Sequence, residues 1–160
     1  MSLRELIYQE RVLTVFESYL TELSAQKNRA DKIAVRARQE PDLEIEIPDF
    51  PAKAWAALRT TGLLPPSRAA IPYSLRQDGI NRPVPNAVFK VPTGGGKTWL
   101  AVSALSRIFG RYLGKNTGFV LWVVPNEAIY SQTKRQLTDR QHPYRQLLDK
   151  TAAGRVKLLE

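Results

Sequence analysis

Residues 88–102, VFKVPTGGGKTWLAV, place three glycines, a lysine and a threonine between an apolar run and a helix-forming segment. A loop between a strand and a helix start is where α/β sheets bind phosphate, because backbone N–H groups and the helix dipole both face the anion. Glycines there adopt positive φ and let the backbone approach the ligand. The stretch therefore predicts a phosphate-binding loop. The alternative is a flexible glycine turn, which does not explain the Lys-Thr pair that follows.

The surrounding pattern alternates short apolar runs with helix-forming segments. Residues 87–91 and 118–124 have the composition of buried parallel strands, and 154–160 is the candidate for a third. Residues 97–113 and 126–137 have helical composition. Strand, helix, strand, helix predicts a right-handed parallel α/β unit.

The N-terminal half has a different pattern. A helix is predicted from Arg4 to about Ala37, with an apolar stripe at helical spacing formed by Leu13, Phe16, Leu20 and Leu23. A second, short helix is predicted from Pro51 to a stop at Gly62. Nine of the eleven prolines fall between Pro41 and Pro92, so the rest of this region should be irregular. The expected division is 1–40, a helical segment; 41–86, a proline-rich insertion; and 87–160, the α/β part.

Composition excludes several function classes. The chain has 160 residues, no cysteine and one histidine, which excludes a disulfide framework and a thiolate metal site. Its net charge is +9, and residues 81–160 carry all of the excess, with 13 Lys/Arg against 4 Asp/Glu. A basic half of this kind attracts nucleic acid or nucleotides, although a solvated basic surface is the alternative. Without an apolar leader or membrane span, we expect a cytoplasmic protein with no membrane partner.

The residue types of the loop predict individual roles. The backbone of Thr93, Gly94, Gly95 and Gly96 would wrap the β-phosphate of ATP. Lys97 would reach the β- and γ-phosphates, and the Thr98 hydroxyl would ligate Mg²⁺. Lys97 and Thr98 are therefore the candidate catalytic residues, with ATP and Mg²⁺ as cofactors and Thr98 as the metal ligand.

The loop departs from the general phosphate-loop pattern, since Val91 stands where the first glycine is expected. The form PTGGGKT resembles motif I of superfamily 2 helicases and translocases. Residues 120–137, VLWVVPNEAIYSQTKRQL, resemble motif Ia of that superfamily. These two motifs imply a partial RecA-like lobe of parallel strands with flanking helices, preceded by the mainly helical, proline-rich segment.

The resemblance implies further site residues. The motif Ia turn touches the nucleic-acid backbone in that family, which places Pro125, Asn126, Glu127 and Gln132 at nucleic-acid positions. The alternative is a plain helix cap by Asn126 with Gln132 in solvent. The dipeptide Tyr8-Gln9 before an amphipathic helix resembles the glutamine element that reads adenine, so Gln9 is a further cofactor-binding candidate.

The combined motifs are most similar to the ATPase subunit of type III restriction enzymes and related DEAD/DEAH-like helicases. The implied function is an ATP-dependent DNA helicase or translocase, with RNA an open alternative and a modification or specificity subunit as a further partner. The Asp-Glu pair of that family is missing, so we expect the first part of a longer enzyme that is inactive in isolation. Two alternatives stay open: another P-loop NTPase or kinase, and a non-catalytic basic nucleic-acid-binding fragment.

Overall fold

The computed structural model describes residues 6–159, and the helices in that range are α1 (Ile7–Gln39), α2 (Phe50–Arg59), α3 (Pro66–Ala69), α4 (Lys97–Arg107), a π-helical segment (Ile108–Leu113), α5 (Glu127–Thr138) and α6 (Pro143–Thr151). The chain divides into two compact units. We call Thr14–Phe89 the proline-rich unit, and Met1–Leu13 with Lys90–Glu160 the glycine-loop unit. The long helix α1 contributes residues to both.

The proline-rich unit has its core on α1 and α2. The predicted N-terminal helix is confirmed by α1, although Arg4 lies outside the described residues. Its stripe is buried as expected, and Phe16 meets Phe89 edge-on with ring centroids 5.0 Å apart. The second predicted helix is also confirmed: Asp49 caps α2 by accepting from the Ala52 amide at 2.8 Å, and Pro51 stands in the first turn.

Side-chain bonds to backbone hold the irregular part of this unit. Trp55 donates its indole N–H to the Ile71 carbonyl at 2.9 Å, and Asn86 donates to both the Tyr73 hydroxyl and the Ser74 carbonyl at 2.9 Å. Asp78 accepts from the Arg82 amide and guanidinium, and these bonds lower the pKa of the Asp78 carboxyl. Such local bonds satisfy backbone groups where prolines prevent regular structure.

The glycine-loop unit packs α4 against α6, and α6 against α5. Its buried residues include Leu100 and Val102 on α4 and Leu137 on α5. The helix predicted for 97–113 is present as α4 followed by the π-helical segment. Gly114, at φ 59°, ends that segment in the left-handed conformation.

Arg145 on α6 is the main polar anchor of this unit, with 6% of its surface exposed. Its Nε donates to both carboxylate oxygens of Asp149 at 3.0 Å. Its two Nη groups donate at 2.9 Å to the Leu137 carbonyl on α5 and the Val156 carbonyl. One buried guanidinium therefore joins α5, α6 and the segment that follows α6.

The predicted α/β fold class, a partial RecA-like lobe with parallel strands, is wrong for this structure. None of the segments 87–91, 118–124 and 154–159 forms a strand, and residue 160 lies outside the described range. Within residues 6–159, the β pairing is a single antiparallel bridge between Gln77 and Pro83. The unit that contains the glycine loop is helical.

The physical reason is the lack of ladder partners. A strand is stabilised by hydrogen bonds to a neighbouring strand. In the described part of the chain, residues 116–125 make no backbone hydrogen bond. Phe119, Leu121 and Val123 are 80%, 76% and 80% exposed, whereas Trp122 and Val124 are half-buried. An open apolar cavity of about 450 Å³ lies beside this segment, and its lining includes Phe119 and Leu121 as well as Trp122 and Val124. The apolar run was predicted to be buried on both faces, but only one face is covered.

No helix within residues 6–159 has the length and apolar character needed to cross a membrane.

Candidate functional site

The loop at residues 92–96 makes a tight turn directly before α4. Gly94 and Gly96 have φ of 76° and 72°, and the Gly95 amide donates to the Pro92 carbonyl at 3.1 Å. L-residues rarely adopt this left-handed conformation, which explains two of the three glycines. Gly96 is the N-cap of α4, and no side chain caps this helix.

The start of α4 presents free backbone donors. The first amides of a helix have no intrahelical partner. Among the described residues, the amides of Gly96, Lys97 and Thr98 have no backbone partner. With the partial positive charge of the helix N-terminus, they form a group of donors suited to an anion.

The first turn of α1 contacts this loop. The Tyr8 hydroxyl donates to the Gly95 carbonyl, and Gln9 Nε2 donates to the same carbonyl at 3.1 Å. Gln9 Oε1 accepts from the Leu6 amide at 3.0 Å. Only 5% of the Gln9 surface is exposed, so its amide is held between the start of α1 and the loop.

This contact leaves no room for side chains at two loop positions. A Cβ on Gly95 would lie 2.6 Å from Val91 Cγ1 and 2.9 Å from the Tyr8 hydroxyl, and a Cβ on Gly96 would lie 2.5 Å from Gln9 Nε2. Gly95 is therefore explained by close packing and Gly96 by both packing and its φ. The loop backbone is shaped and packed as a cradle that only glycine fits, which agrees with a phosphate-binding role.

Lys97 and Thr98 occupy the first turn of α4. Lys97 is exposed, and its Nζ donates to the Pro92 carbonyl at 3.1 Å, so the ammonium lies over the loop. Thr98 is half-buried next to it. Thr93 and Gly94 are exposed on the outer side of the turn. The residues present fit the triphosphate of ATP with its Mg²⁺: backbone donors, one ammonium and one hydroxyl surround the same turn.

Within residues 6–159, no group of three or more His, Asp or Glu side chains lies close enough to hold a metal ion.

Three of the four residues predicted for motif Ia lie at the N-terminus of α5, and Gln132 lies in the middle of that helix. Asn126 is the N-cap, and its Oδ1 accepts from the Ile129 amide at 3.0 Å. Glu127 accepts from the Ser131 hydroxyl at 3.1 Å, while Pro125 and Gln132 are exposed. Within the described range, no hydrogen bond or ion pair joins these four residues to the glycine loop. The structure thus brings Gln9 into contact with the glycine loop. The turn at residues 125–127 before α5, which we call the α5 turn, is a separate group.

Two features near the loop were missed at the level of sequence. Tyr8 is a loop contact as direct as Gln9, and its position next to Gln9 was the available signal. Trp99, one residue after Thr98, faces Tyr144 of α6 with ring centroids 6.0 Å apart, and Tyr144 meets His142 edge-on at 4.5 Å. These rings connect the first turn of α4 to the start of α6. Nothing in the sequence pattern indicates that Trp99 and Tyr144 would meet.

Comparisons with known proteins give one match. The family model described as type III restriction enzyme, res subunit, matches residues 53–158, about two thirds of the chain. No curated protein and no solved structure matches. The family is one of helicase-like ATPases, and it generally uses ATP and Mg²⁺ and interacts with DNA. The matched range includes the PTGGGKT loop, α5 and α6, and the chain belongs to the type III restriction enzyme res subunit family.

Proposed function

We propose that the glycine-loop unit binds the triphosphate of ATP, with Mg²⁺, as the nucleotide site of a DNA-dependent helicase or translocase. The observation that carries this proposal is the start of α4. Two left-handed glycines direct the unpartnered amides of Gly96, Lys97 and Thr98 toward one turn, beside the Lys97 ammonium. Backbone donors, helix dipole and ammonium all favour an anion at the same place.

Each residue has a proposed action. The free amides of Gly96, Lys97 and Thr98 hold the β-phosphate. The Lys97 ammonium exchanges its hydrogen bond to the Pro92 carbonyl for bonds to phosphate oxygens, and it neutralises the charge that grows during transfer. The Thr98 hydroxyl would supply one oxygen ligand to Mg²⁺, and the bound ion would neutralise phosphate charge. Hydrolysis also needs a carboxylate that orients water. We therefore keep the expectation that this chain alone does not turn ATP over.

Gln9 stays a proposed reader of adenine. In this structure both ends of its amide are bonded to protein, at Gly95 and Leu6. Reading the base would require Gln9 to exchange its bond to Gly95 for the adenine edge. Because Gly95 is in the phosphate loop, that exchange would couple base recognition to loop conformation.

The nucleotide proposal is tested by equilibrium binding of a fluorescent ATP analogue with Mg²⁺ to the 160-residue chain. Lys97→Ala should weaken binding about 10- to 100-fold, the usual range for losing a charge-assisted hydrogen bond. Lys90→Ala is the matched control, because Lys90 is an exposed lysine just before the loop. Equal affinities for the two variants would remove Lys97 from the site.

The metal role of Thr98 has its own variant. Thr98→Val removes the hydroxyl and keeps the shape, so it should lose the dependence of ATP affinity on Mg²⁺, whereas Thr98→Ser should keep it. If Thr98→Val binds ATP with an unchanged Mg²⁺ dependence, the hydroxyl is not a ligand.

We further propose that Pro125, Asn126, Glu127 and Gln132 contact the DNA backbone, with RNA as the alternative substrate. The amides at the start of α5 support this, since helix N-termini bind phosphates and carry no sequence information. Asn126→Asp keeps a capping oxygen but adds a negative charge. It should weaken oligonucleotide binding and keep stability, whereas Asn126→Ala should cost about 1 kcal/mol of stability. Unchanged oligonucleotide binding by Asn126→Asp would leave Asn126 as a cap only.

A second candidate, a basic module that binds nucleic acid without ATP, is favoured by the charge of residues 81–160 alone. The ATP titration separates the two, because this candidate predicts oligonucleotide binding with no nucleotide affinity.

A further inference from the structure

A second basic site lies away from the glycine loop. A groove of about 730 Å³ opens between the end of the π-helical segment and α6. The groove lining contributes two ammonium groups, from Lys115 and Lys150, and the polar side chains of Ser106, Asn116, Thr117 and Thr151. The lining contains no carboxylate and no aromatic ring. We call it the lysine groove.

The two lysines of the groove are not neutralised by protein. Both are exposed, and neither has an ion pair or a hydrogen-bond partner for its side chain among residues 6–159. Elsewhere in the described chain, Lys27, Arg36 and Arg82 each pair with an acidic residue four positions away. The nearest acidic residue in sequence to Lys150 is Asp149, and it is bonded to Arg145.

The π-helical segment builds this groove. π-helices are rare and appear frequently at functional sites. Gly114 ends the segment at φ 59°, and the Lys115 amide donates back to the Phe109 carbonyl at 3.0 Å. Residues 115–117 follow this turn, and they line the groove together with Lys150 and Thr151 of α6. Thr151 and Ser106 share a hydrogen bond of 2.9 Å across its floor, which connects α6 to α4.

The chemistry of the lining points to phosphate groups. Ammonium groups bind phosphate as point charges, and hydroxyl and amide groups donate to its oxygens. Without an aromatic platform the groove cannot stack bases, so it suits the backbone of a nucleic acid and not its bases. We propose that the lysine groove binds the sugar–phosphate backbone of a nucleic acid, at a site separate from both the glycine loop and the α5 turn.

The groove can act independently of nucleotide binding. The glycine loop precedes the first residue of α4, and the groove lies at the last turn of that helix, where Ser106 is part of the lining. The helix from Lys97 to Ser106 separates the two sites by roughly 14 Å along its axis. This proposal rests on the proposed nucleic-acid function. It adds a contact that would extend the path of the nucleic-acid strand along the glycine-loop unit.

The test measures binding of a fluorescein-labelled single-stranded oligonucleotide to the full 160-residue chain as a function of salt. Lys115→Gln/Lys150→Gln should weaken binding about tenfold at low salt and reduce the slope of log K against log salt by about 1.4, the value for two phosphate contacts on a single strand. Its ATP affinity should stay at the wild-type value.

Two matched variants complete the test. Lys32→Gln/Lys53→Gln removes the same charge from exposed lysines of the proline-rich unit, and it should keep the wild-type slope. Lys115→Arg/Lys150→Arg should keep both affinity and slope. Equal losses in the two glutamine pairs would reduce the effect to net charge and overturn the groove.

The remaining outcomes are also decisive. An unchanged slope in Lys115→Gln/Lys150→Gln, with binding intact, would overturn the groove and leave the proposed nucleic-acid function standing. If neither the wild-type chain nor any variant binds the oligonucleotide, both the lysine groove and the proposed nucleic-acid function are overturned. Competition by poly-glutamate as effective as by unlabelled oligonucleotide would make the groove a general acidic-ligand site and overturn its assignment to nucleic acid.

Discussion

The loop at residues 92–96 and the apolar segment at residues 118–124 belong to the same unit, yet only the loop is held by hydrogen bonds. The loop closes on itself through Gly95 and Pro92, and Tyr8 and Gln9 hold it from α1. The apolar segment makes no backbone hydrogen bond within the described chain, and three of its large side chains are more than 75% exposed.

The two segments differ in where their backbone hydrogen bonds find partners, and this difference decides which elements a short sequence pattern can predict. A helix start with its glycine turn satisfies its bonds within a few residues, so the pattern and the structure agree. A strand satisfies its bonds only against another strand, so an apolar run is insufficient without a partner. The segment at residues 154–159, which was predicted to be a third strand, is held by a side chain instead. Arg145 donates a hydrogen bond to its Val156 carbonyl.

The largest expected effect tests that substitute. Arg145→Met keeps an unbranched apolar stem but leaves Asp149 without its partner and the Leu137 and Val156 carbonyls without their donors. Breaking a buried pair of this kind should cost about 3 kcal/mol of the free energy of unfolding, measured by urea denaturation. Arg140→Met is the control, since Arg140 is exposed, and it should change stability by less than about 0.5 kcal/mol. A cost for Arg145→Met equal to that control would mean that the segment after α6 is held by other contacts.

The next effect tests the loop itself. Gly96→Ala forces an L-residue into φ 72° and brings its Cβ within 2.5 Å of Gln9 Nε2. The left-handed conformation alone costs about 1–2 kcal/mol, and ATP affinity should fall with it. Adding Gln9→Ala should relieve the overlap but not the backbone strain, so recovery should be partial. Gly79→Ala, with no neighbour within 4 Å and no positive φ, should be neutral. A Gly96→Ala chain with wild-type stability and ATP affinity would contradict the cradle.

A smaller effect is expected for Gln9→Ala. It removes the bonds to Leu6 and Gly95, but Tyr8 still donates to Gly95, so stability should fall by about 1 kcal/mol. The preference for ATP over GTP should also fall, as measured by competition against the fluorescent analogue. Loss of stability with an unchanged ATP/GTP ratio would make Gln9 a structural contact of the loop only.

The smallest effect concerns Ser103 in the middle of α4. Its hydroxyl is completely buried and has no hydrogen-bond partner in the part of the chain described. Ser103→Ala removes an unsatisfied group and favours the helix, so thermal denaturation should show stabilisation of about 0.5–1 kcal/mol. Destabilisation would indicate that the Ser103 hydroxyl has a hydrogen-bond partner in solution. The unit would then have a polar anchor on α4 in addition to Arg145 on α6.

The sequence predicted α1, α2, α4 and α5 for identifiable reasons, whereas α3 lies in the stretch that was predicted to be irregular. Asp49 and Asn126 are side-chain caps, and Pro51 stands in a first turn, so each boundary is encoded within four residues. The loop and its neighbours Lys97 and Thr98 were predicted as a group because they are consecutive.

The parts that could not be predicted depend on distant residues. Arg145 joins groups 8 and 11 residues away, and Tyr8 meets a loop 87 residues later. The lysine groove forms from segments that are distant in sequence, which are joined by the packing of α4 on α6 and by the Thr151–Ser106 hydrogen bond. The sheet was predicted from apolar runs that alternate with helices and from the resemblance of two motifs to a RecA-like lobe. Neither signal shows whether each strand finds a partner to pair with.

A series of ligands with different numbers of phosphates tests whether the loop before α4 holds the phosphates of a nucleotide. Isothermal titration of the 160-residue chain with ATP, ADP, AMP and adenosine, each with Mg²⁺, compares ligands that differ only in phosphate number. If the loop and Lys97 hold the β- and γ-phosphates, affinity should fall from ATP to ADP and sharply again to AMP, and Lys97→Ala should flatten the series. Equal affinities for ATP and adenosine, or a series that Lys97→Ala leaves unchanged, would contradict the account.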